Sequence, residues 1–318
     1  MAQKSHASAA HCARRIDWVC EFYSERDVVL EERRLRFEAS PDGALSAKIA
    51  ELAFTRSPYR LPVIGFKEDI STVTREEAQA FYDTYYTPGN AFASIVGDIN
   101  IEDTKKLLDS TFGLLPAKAE PPKTDGSEPT QKAEQRGSVY FETSPQLLMA
   151  FHKPTAPEFD DYVFDVIDRL LSGGRTSRLY KALVKDQQIA QAVYTFGFPG
   201  ARYENLFVIG AVSLDKTSNE ELEAAIYEEL DKLGKEGPTQ EELDRVLTGL
   251  EADFIRNISS NEGLASQLTF FHGIVNDWRY VQNHSSVVRT ITAEDVKRVA
   301  KTYFTKENRS VATLVESR

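Results

Sequence analysis

Residues 70–99 of this 318-residue chain align without a gap on residues 288–317, and Thr72, Thr74, Glu76, Thr84, Tyr85, Thr87 and Asn90 recur as Thr290, Thr292, Glu294, Thr302, Tyr303, Thr305 and Asn308. Seven identities in thirty positions at one fixed offset mark a duplication. In each copy a threonine is placed to cap a helix, and the helix runs to an aromatic pair, Tyr85 and Tyr86 or Tyr303 and Phe304. An Asn-bearing turn then opens a strand. The stretch from Val139 to Val288 gives the second block 149 residues of preceding chain, whereas only 69 precede Ile70, a shortfall of about 80. The first copy is therefore expected to be incomplete. It keeps its later helices and one strand, Ala91–Ile99, without the strands that would flank it and satisfy its backbone. Residues 1–115 are expected to be the less stable half.

The second copy reads as α+β. Strand-like runs cover Ser138–Glu142, Gln146–His152, Ala192–Phe198 and Leu206–Val212, and they read as a mainly antiparallel sheet. Between them a helical pattern from Asp160 to Val184 puts Val163, Ile167, Leu170 and Leu171 on one face. A second amphipathic helix carries Leu222, Ile226, Leu230 and Leu233 and is expected to stop at Gly234; Thr239 and Glu242 have the spacing of a capping box for the next. From Pro116 to Gly137 almost nothing apolar occurs, and Pro121, Pro122, Gly126 and Pro129 punctuate the run. Its composition is that of an interdomain linker. The expected organisation is a first domain over 1–115, a linker over 116–137, and a second domain over 138–318 that holds a full set of elements and should fold alone.

Composition excludes some partners. The formal net charge is −11, with the acidic residues spread through helical segments, which argues against nucleic acid or an anionic membrane surface. Both cysteines, Cys12 and Cys20, fall in the first twenty residues, so no disulfide staples the body of the chain. No apolar run reaches the length of a membrane helix, and the N-terminus lacks the order of a signal peptide.

Two carboxylates, Glu25 and Glu32, stand two turns apart on the helix expected over Tyr23–Phe37, placed to face the same side. On spacing alone they form either a metal-binding face or a solvated acidic face paired with Arg26, Arg33 and Arg34. The run from Glu25 to Arg34 resembles a segment of the pitrilysin/insulinase zinc metallopeptidases, as do Tyr59–Gly65, the turn Tyr85–Asn90, and Val96-Gly97-Asp98. The resemblance covers roughly residues 23–318. It implies the fold of that family, a duplicated metallopeptidase-type α/β roll with its first copy incomplete. It also implies zinc held by an H-x-x-E-H helix and by a glutamate about 75–80 residues later, with the motif's own glutamate as general base. Glu32 matches that third ligand and Glu25 the supporting carboxylate.

This sequence contains no H-x-x-E-H, and the family spacing places the motif upstream of Met1, inside the 80-residue shortfall. His6 and His11 have the wrong spacing to replace it, and His152, His272 and His284 are isolated. Family members also carry an arginine and a tyrosine seven residues apart that hold substrate; their positions are Val184 and Gln191 here. The turn Ser172–Arg178, with Gly173 and Gly174, resembles a chamber-facing loop of the family and reads equally as a close helix–sheet approach. The resemblance thus implies a zinc endopeptidase whose chain, lacking two ligand histidines and the base, is inactive by itself. The alternative is a non-catalytic or peptide-binding subunit of a two-chain complex with a homologous partner. An unrelated acidic interaction domain is the third reading.

Overall fold

The computed structural model describes residues 18–116, 118–214 and 217–316; His6, His11 and Cys12 lie outside them. Helix α1 (Trp18–Arg33) runs into a π-helical turn at Arg34–Glu38, and α2 (Pro41–Ala53), α3 (Lys67–Thr72), α4 (Arg75–Tyr85) and α5 (Ile101–Thr111) follow. Then come β1 (Gln135–Phe141), β2 (Gln146–Lys153), α6 (Phe159–Ser172), a π-helical turn at Tyr180–Asp186, β3 (Ala190–Phe198) and β4 (Asn205–Ser213). Four helices, α7 (Asn219–Glu236), α8 (Gln240–Ile258), α9 (Asn261–Val275) and α10 (Arg279–Val288), lead to α11 (Ala293–Tyr303) and β5 (Arg309–Glu316). The strands form one sheet in the order β1-β5-β2-β4-β3. Three of its pairings are antiparallel and one, β1 with β5, is parallel.

Strands β2 and β4 are buried on both faces, so their apolar residues run continuously instead of alternating. On the inner face Leu147, Met149, Phe151, Phe207 and Ile209 pack under α6, α7 and α11. On the outer face Leu148, Ala150, Leu206, Val208, Ala312 and Leu314 are covered by Leu45, Ile49, Ala53 and Phe54, from α2 and its C-cap. A helix of the first half thus completes the core of the second, and the compositional boundary at 116–137 separates that helix from the sheet it covers. Its start is fixed locally. Ser40 caps it and Pro41 opens it. Gly43 lets it approach the preceding turn, since a Cβ there would lie 1.6 Å from the Arg36 carbonyl oxygen.

Among its described residues the expected linker has no helix, and no strand before Gln135, yet it is not a free spacer. Glu128 accepts hydrogen bonds from Thr55 N (2.8 Å), Thr55 Oγ1 (2.6 Å), Arg56 N (2.9 Å) and Ser57 N (2.7 Å). Burial pulls its carboxyl pKa up, but these donors outweigh burial and hold it below the usual value. Farther on, Gln131 Nε2 donates to the Glu307 and Arg309 carbonyls. The segment is strapped across the molecule by polar contacts that composition does not reveal.

The duplication is visible in the hydrogen bonds. Thr74 and Thr292 both cap their helices with full capping boxes. Asn90 Nδ2 donates to the Tyr85 carbonyl and Asn308 Nδ2 to the Tyr303 carbonyl, each at 2.9 Å. Beyond that turn the copies part. Residues 309–316 form β5, whereas 91–98 form no strand and bend at Gly97 and Asp98. The strand expected over Ala91–Ile99 is therefore an irregular segment with Phe92, Ile95 and Ile99 well exposed. One more element end differs from expectation: α7 passes Gly234 and stops at Gly237, whose φ of +74° suits the cap.

Two measurements check this packing. Ile49→Ala should lower stability by about 2–5 kcal/mol, as other buried large-to-small changes do, read from urea unfolding of the full chain. Residues 138–318 expressed alone should bind a hydrophobic dye and unfold at lower urea than the full chain. An unchanged midpoint in both would show that α2 does not cover the sheet. A further check uses His152, which sits on the outer face with its ring edge-on to Phe54 at 5.5 Å. Burial lowers its pKa below the ordinary 6.5, against a hydrogen bond to Ala53 and the charge of Glu128. Because the folded-state pKa is the lower one, the unfolded chain takes up the proton first. Stability is unaffected above about pH 6.5 and falls as pH drops below it. His152→Asn should therefore flatten the stability profile between pH 7 and 5 relative to the parent; parallel profiles would remove His152 as the acid-sensitive group.

Candidate functional site

The residues singled out by resemblance do not converge. Glu32 is half-exposed on α1, paired with Arg36 at 2.8 Å. Glu25 borders a shallow apolar recess with Phe22, Val29, Ile70 and Val73. Among the described residues, no three His, Cys, Asp or Glu side chains stand together as a metal set. A lone carboxylate held by an arginine does not fit a zinc site, which needs three protein ligands and an open position.

At the family's arginine and tyrosine positions, Val184 packs against the inner core from the second π-helical turn. Gln191 is exposed at a register shift in β3. The glycine turn has local structural reasons: a Cβ on Gly173 would lie 2.5 Å from the Arg169 carbonyl oxygen, and Gly174 has φ +100°. Arg178 beyond it forms a two-point pair with Glu242, whose carboxyl is held down to about 2 by that partner. The described histidines are packing residues. His284 stacks on Phe254 at 4.5 Å and His272 lies edge-on to Phe92 at 4.7 Å.

A second group of polar residues lies elsewhere, in a recess of about 600 Å³ between α6, the adjoining ends of β2, β3 and β4, and helices α9 and α10. Asp161, Asp165 and Asp168 fall at i, i+4 and i+7 on α6, opposite its buried face at Leu170. Strand alternation sends Lys153, Thr195 and Asn205 to the same inner side as Phe151, Val193 and Phe207. Two of the three carboxylates have partners. Lys153 forms an ion pair with Asp161, and Thr195 Oγ1 donates to Asp168 at 2.6 Å.

Asp165 has neither hydrogen bond nor ion pair among the described residues. Its side chain is exposed to solvent, so it needs no protein partner, and the neighbouring charge of Asp161 raises its pKa against the opposing charge of Lys153. Burial raises Asp168, against its Thr195 bond. Opposite stand Phe270, Phe271 and Ile274 of α9, with Tyr280 deeper in. The chemistry on offer is acceptor-rich and anionic on one wall and aromatic on the other. The sequence carried a signal for this site: three aspartates at helical spacing on a helix whose remaining positions are mostly apolar.

Comparison with known proteins agrees with this fold. The profile of the peptidase M16 inactive domain matches residues 72–250. Zinc protease PqqE of Helicobacter pylori is 30% identical over 305 residues, covering 93% of this chain and 67% of its own length. The uncharacterized zinc protease YmxG of Bacillus subtilis is 21% identical over 291 residues, covering 90% of this chain and 69% of its own length. Among solved structures, a protease from Helicobacter pylori superposes with a TM-score of 0.87 at 28% identity, covering 93% of this chain and 72% of that one. A peptidase M16 inactive domain from Pseudomonas fluorescens does so with a TM-score of 0.82 at 20% identity, covering 94% and 70%, a likeness of fold. The chain spans roughly two thirds of the length of the curated relatives it matches. It belongs to the peptidase M16 family, and the profile it matches is that of the family's inactive domain.

Proposed function

We propose that this chain is the non-catalytic share of a zinc endopeptidase, working with a homologous polypeptide segment or subunit that carries H-x-x-E-H and contributing Glu32 as the third zinc ligand. The observation that carries the reading is the isolation of Glu32. The sequence holds the family's third-ligand position but no H-x-x-E-H, and the described residues bring no second donor to it. Glu32 is also available in energetic terms. Its pair with Arg36 is partly solvent-exposed and one helical turn long, so exchanging it for a metal costs about 1 kcal/mol or less. When bound, zinc would supply the activated water and polarise the scissile carbonyl. This chain's own share would be one carboxylate and the wall formed by the inactive domain. Glu25, seven residues earlier on α1, would support the Glu32 side of the site. With Val184 and Gln191 at the substrate-holding positions, any arginine–tyrosine pair must also come from elsewhere.

The purified chain should contain well under one zinc per molecule and cleave no peptide. Mixed with a family segment that carries H-x-x-E-H, it should gain zinc-dependent cleavage. Glu32→Gln should then reduce that cleavage by more than the roughly 100-fold that losing an outer-shell partner costs. Stoichiometric zinc in the chain alone, with cleavage abolished by Glu32→Gln, would overturn the proposal.

A further inference from the structure

We propose that the cleft between α4 and α9, floored by residues 91–96, is the docking site for a β-strand of a partner polypeptide, a strand apolar on both faces and antiparallel to 91–96. The molecule carries its own template for this. In the second copy β2, apolar on both faces, lies antiparallel to β5 between α11 on the inner side and α2 on the outer. The first copy has the repeat positions of β5 and α11 in 91–98 and α4, and the counterpart of α2 is α9.

That last equivalence rests on geometry. Ser260 caps α9 as Ser40 caps α2, each accepting from the N–H of a glycine three residues on, at 3.0 and 3.2 Å. The two glycines answer the same close approach: a Cβ on Gly263 would lie 1.9 Å from the Asn257 carbonyl oxygen, as one on Gly43 would meet that of Arg36. Thirteen residues after its cap serine, α2 places Ala53 on the outer side of the sheet with Ala312. Thirteen after Ser260 stands Gly273, and a Cβ there would lie 3.1 Å from the Phe92 ring. Phe92 is the repeat position of Ser310, which shares the outer side of β5 with Ala312 and Leu314. Helix α9 thus already holds one residue of 91–96 in the way that α2 holds β5.

Elsewhere the face is open. Val299 and Ala300 of α11 are 0% and 2% exposed, whereas Phe81 and Tyr82, at the same repeat positions of α4, are 58% and 55% exposed. A groove of about 910 Å³ runs along this side, with Phe81, Tyr86, Phe92 and Phe112 on its walls. Exposed aromatic surface of this extent marks a protein interface. Its floor selects a strand. Residues 91–97 carry neither charge nor proline, the usual guards of an open edge. The N–H groups of 92–96 donate to no backbone carbonyl among the described residues. An extended segment would meet them through main-chain bonds and both helices through its alternating side chains. The inference rests on the repeat and its packing, not on Glu32, and holds whether or not the same partner brings zinc ligands.

The test uses the full chain and, as probe, a fluorescein-labelled peptide of the β2 sequence Gln146–Lys153 with two lysines added for solubility. Anisotropy should show saturable binding, and amide hydrogen exchange at 92–96 should slow by at least about tenfold on saturation. N-methylation of the peptide amides at Leu147, Met149 and Phe151 blocks one strand edge, and at Leu148 and Ala150 the other. One set should weaken binding at least about tenfold, as the loss of several ladder hydrogen bonds does, and the other should change it little. Phe81→Ala and Ile95→Lys should each weaken it several-fold with urea midpoints unchanged, because both residues are exposed. Protection at β1 or β3, the edges of the existing sheet, would overturn the assignment, as would no saturable binding or equal loss with both methylated sets. So would a chain that dimerises by itself and becomes monomeric on Ile95→Lys, since a second copy would then be the occupant.

Discussion

Everything in this molecule depends on covering both faces of one five-stranded sheet. Strands β2 and β4 are buried on each side, so the inner helices alone leave half of the core wet. The outer cover is α2 with Phe54, whose side chains reach essentially no solvent. Burying a large aliphatic or aromatic side chain is worth about 1.5–3 kcal/mol, and Leu45, Ile49 and Phe54 together amount to a large fraction of an ordinary domain's net stability. The sequence between α2 and β1 then has one mechanical task, which is to hold that helix in place. Glu128 performs it by gathering the N–H groups of residues 55–57, and Tyr59 adds to it by accepting from Arg202 N and Tyr203 N through its hydroxyl.

This arrangement explains what sequence reading reached and where it stopped. Capping boxes at Thr74, Ser218, Thr239 and Thr292 are local, satisfied within one turn, and so the helices they open were legible. The short apolar runs that mark strands were equally local. Lost were the long-range choices. Polar punctuation from Pro116 to Gly137 looks the same whether its carboxylates face water or cap another segment's backbone. The continuous apolar runs Leu147–Phe151 and Leu206–Ala211 did carry the information that a second cover was needed, since a sheet with one wet face alternates. The stop of α7 turned on a glycine three residues beyond the one expected, because only at Gly237 does the backbone turn left-handed.

The duplicated block shows how far local sequence determines structure. Both copies build the same cap, the same aromatic end and the same Asn-to-carbonyl bond. They diverge only where a neighbour is required. Asn308 makes one more bond than Asn90, to the His152 carbonyl of β2, and from that point the second copy has a ladder. In the first, Phe92 rests on the ring of His272 and the backbone of 91–98 forms no strand and finds no strand partner among the described residues. The zinc ligands fall in the same category of non-local information. Glu25 and Glu32 were separable from an ordinary solvated helix face only by resemblance, and their local surroundings remain those of such a face.

The acids of α6 make the contrast between structural and surplus charge within one helix. Asp160 is fully employed: Arg298 and the Tyr303 hydroxyl both donate to it, and Arg298 first among them holds its carboxyl below the usual range. Asp161 takes Lys153 and Asp168 takes Thr195. The fold therefore has no difficulty in pairing an aspartate on this helix when the pairing serves packing. Asp165, between them, is exposed and is left to solvent. The carboxylates of this helix are thus paired where partial burial would leave them unsatisfied, and unpaired where water can reach them.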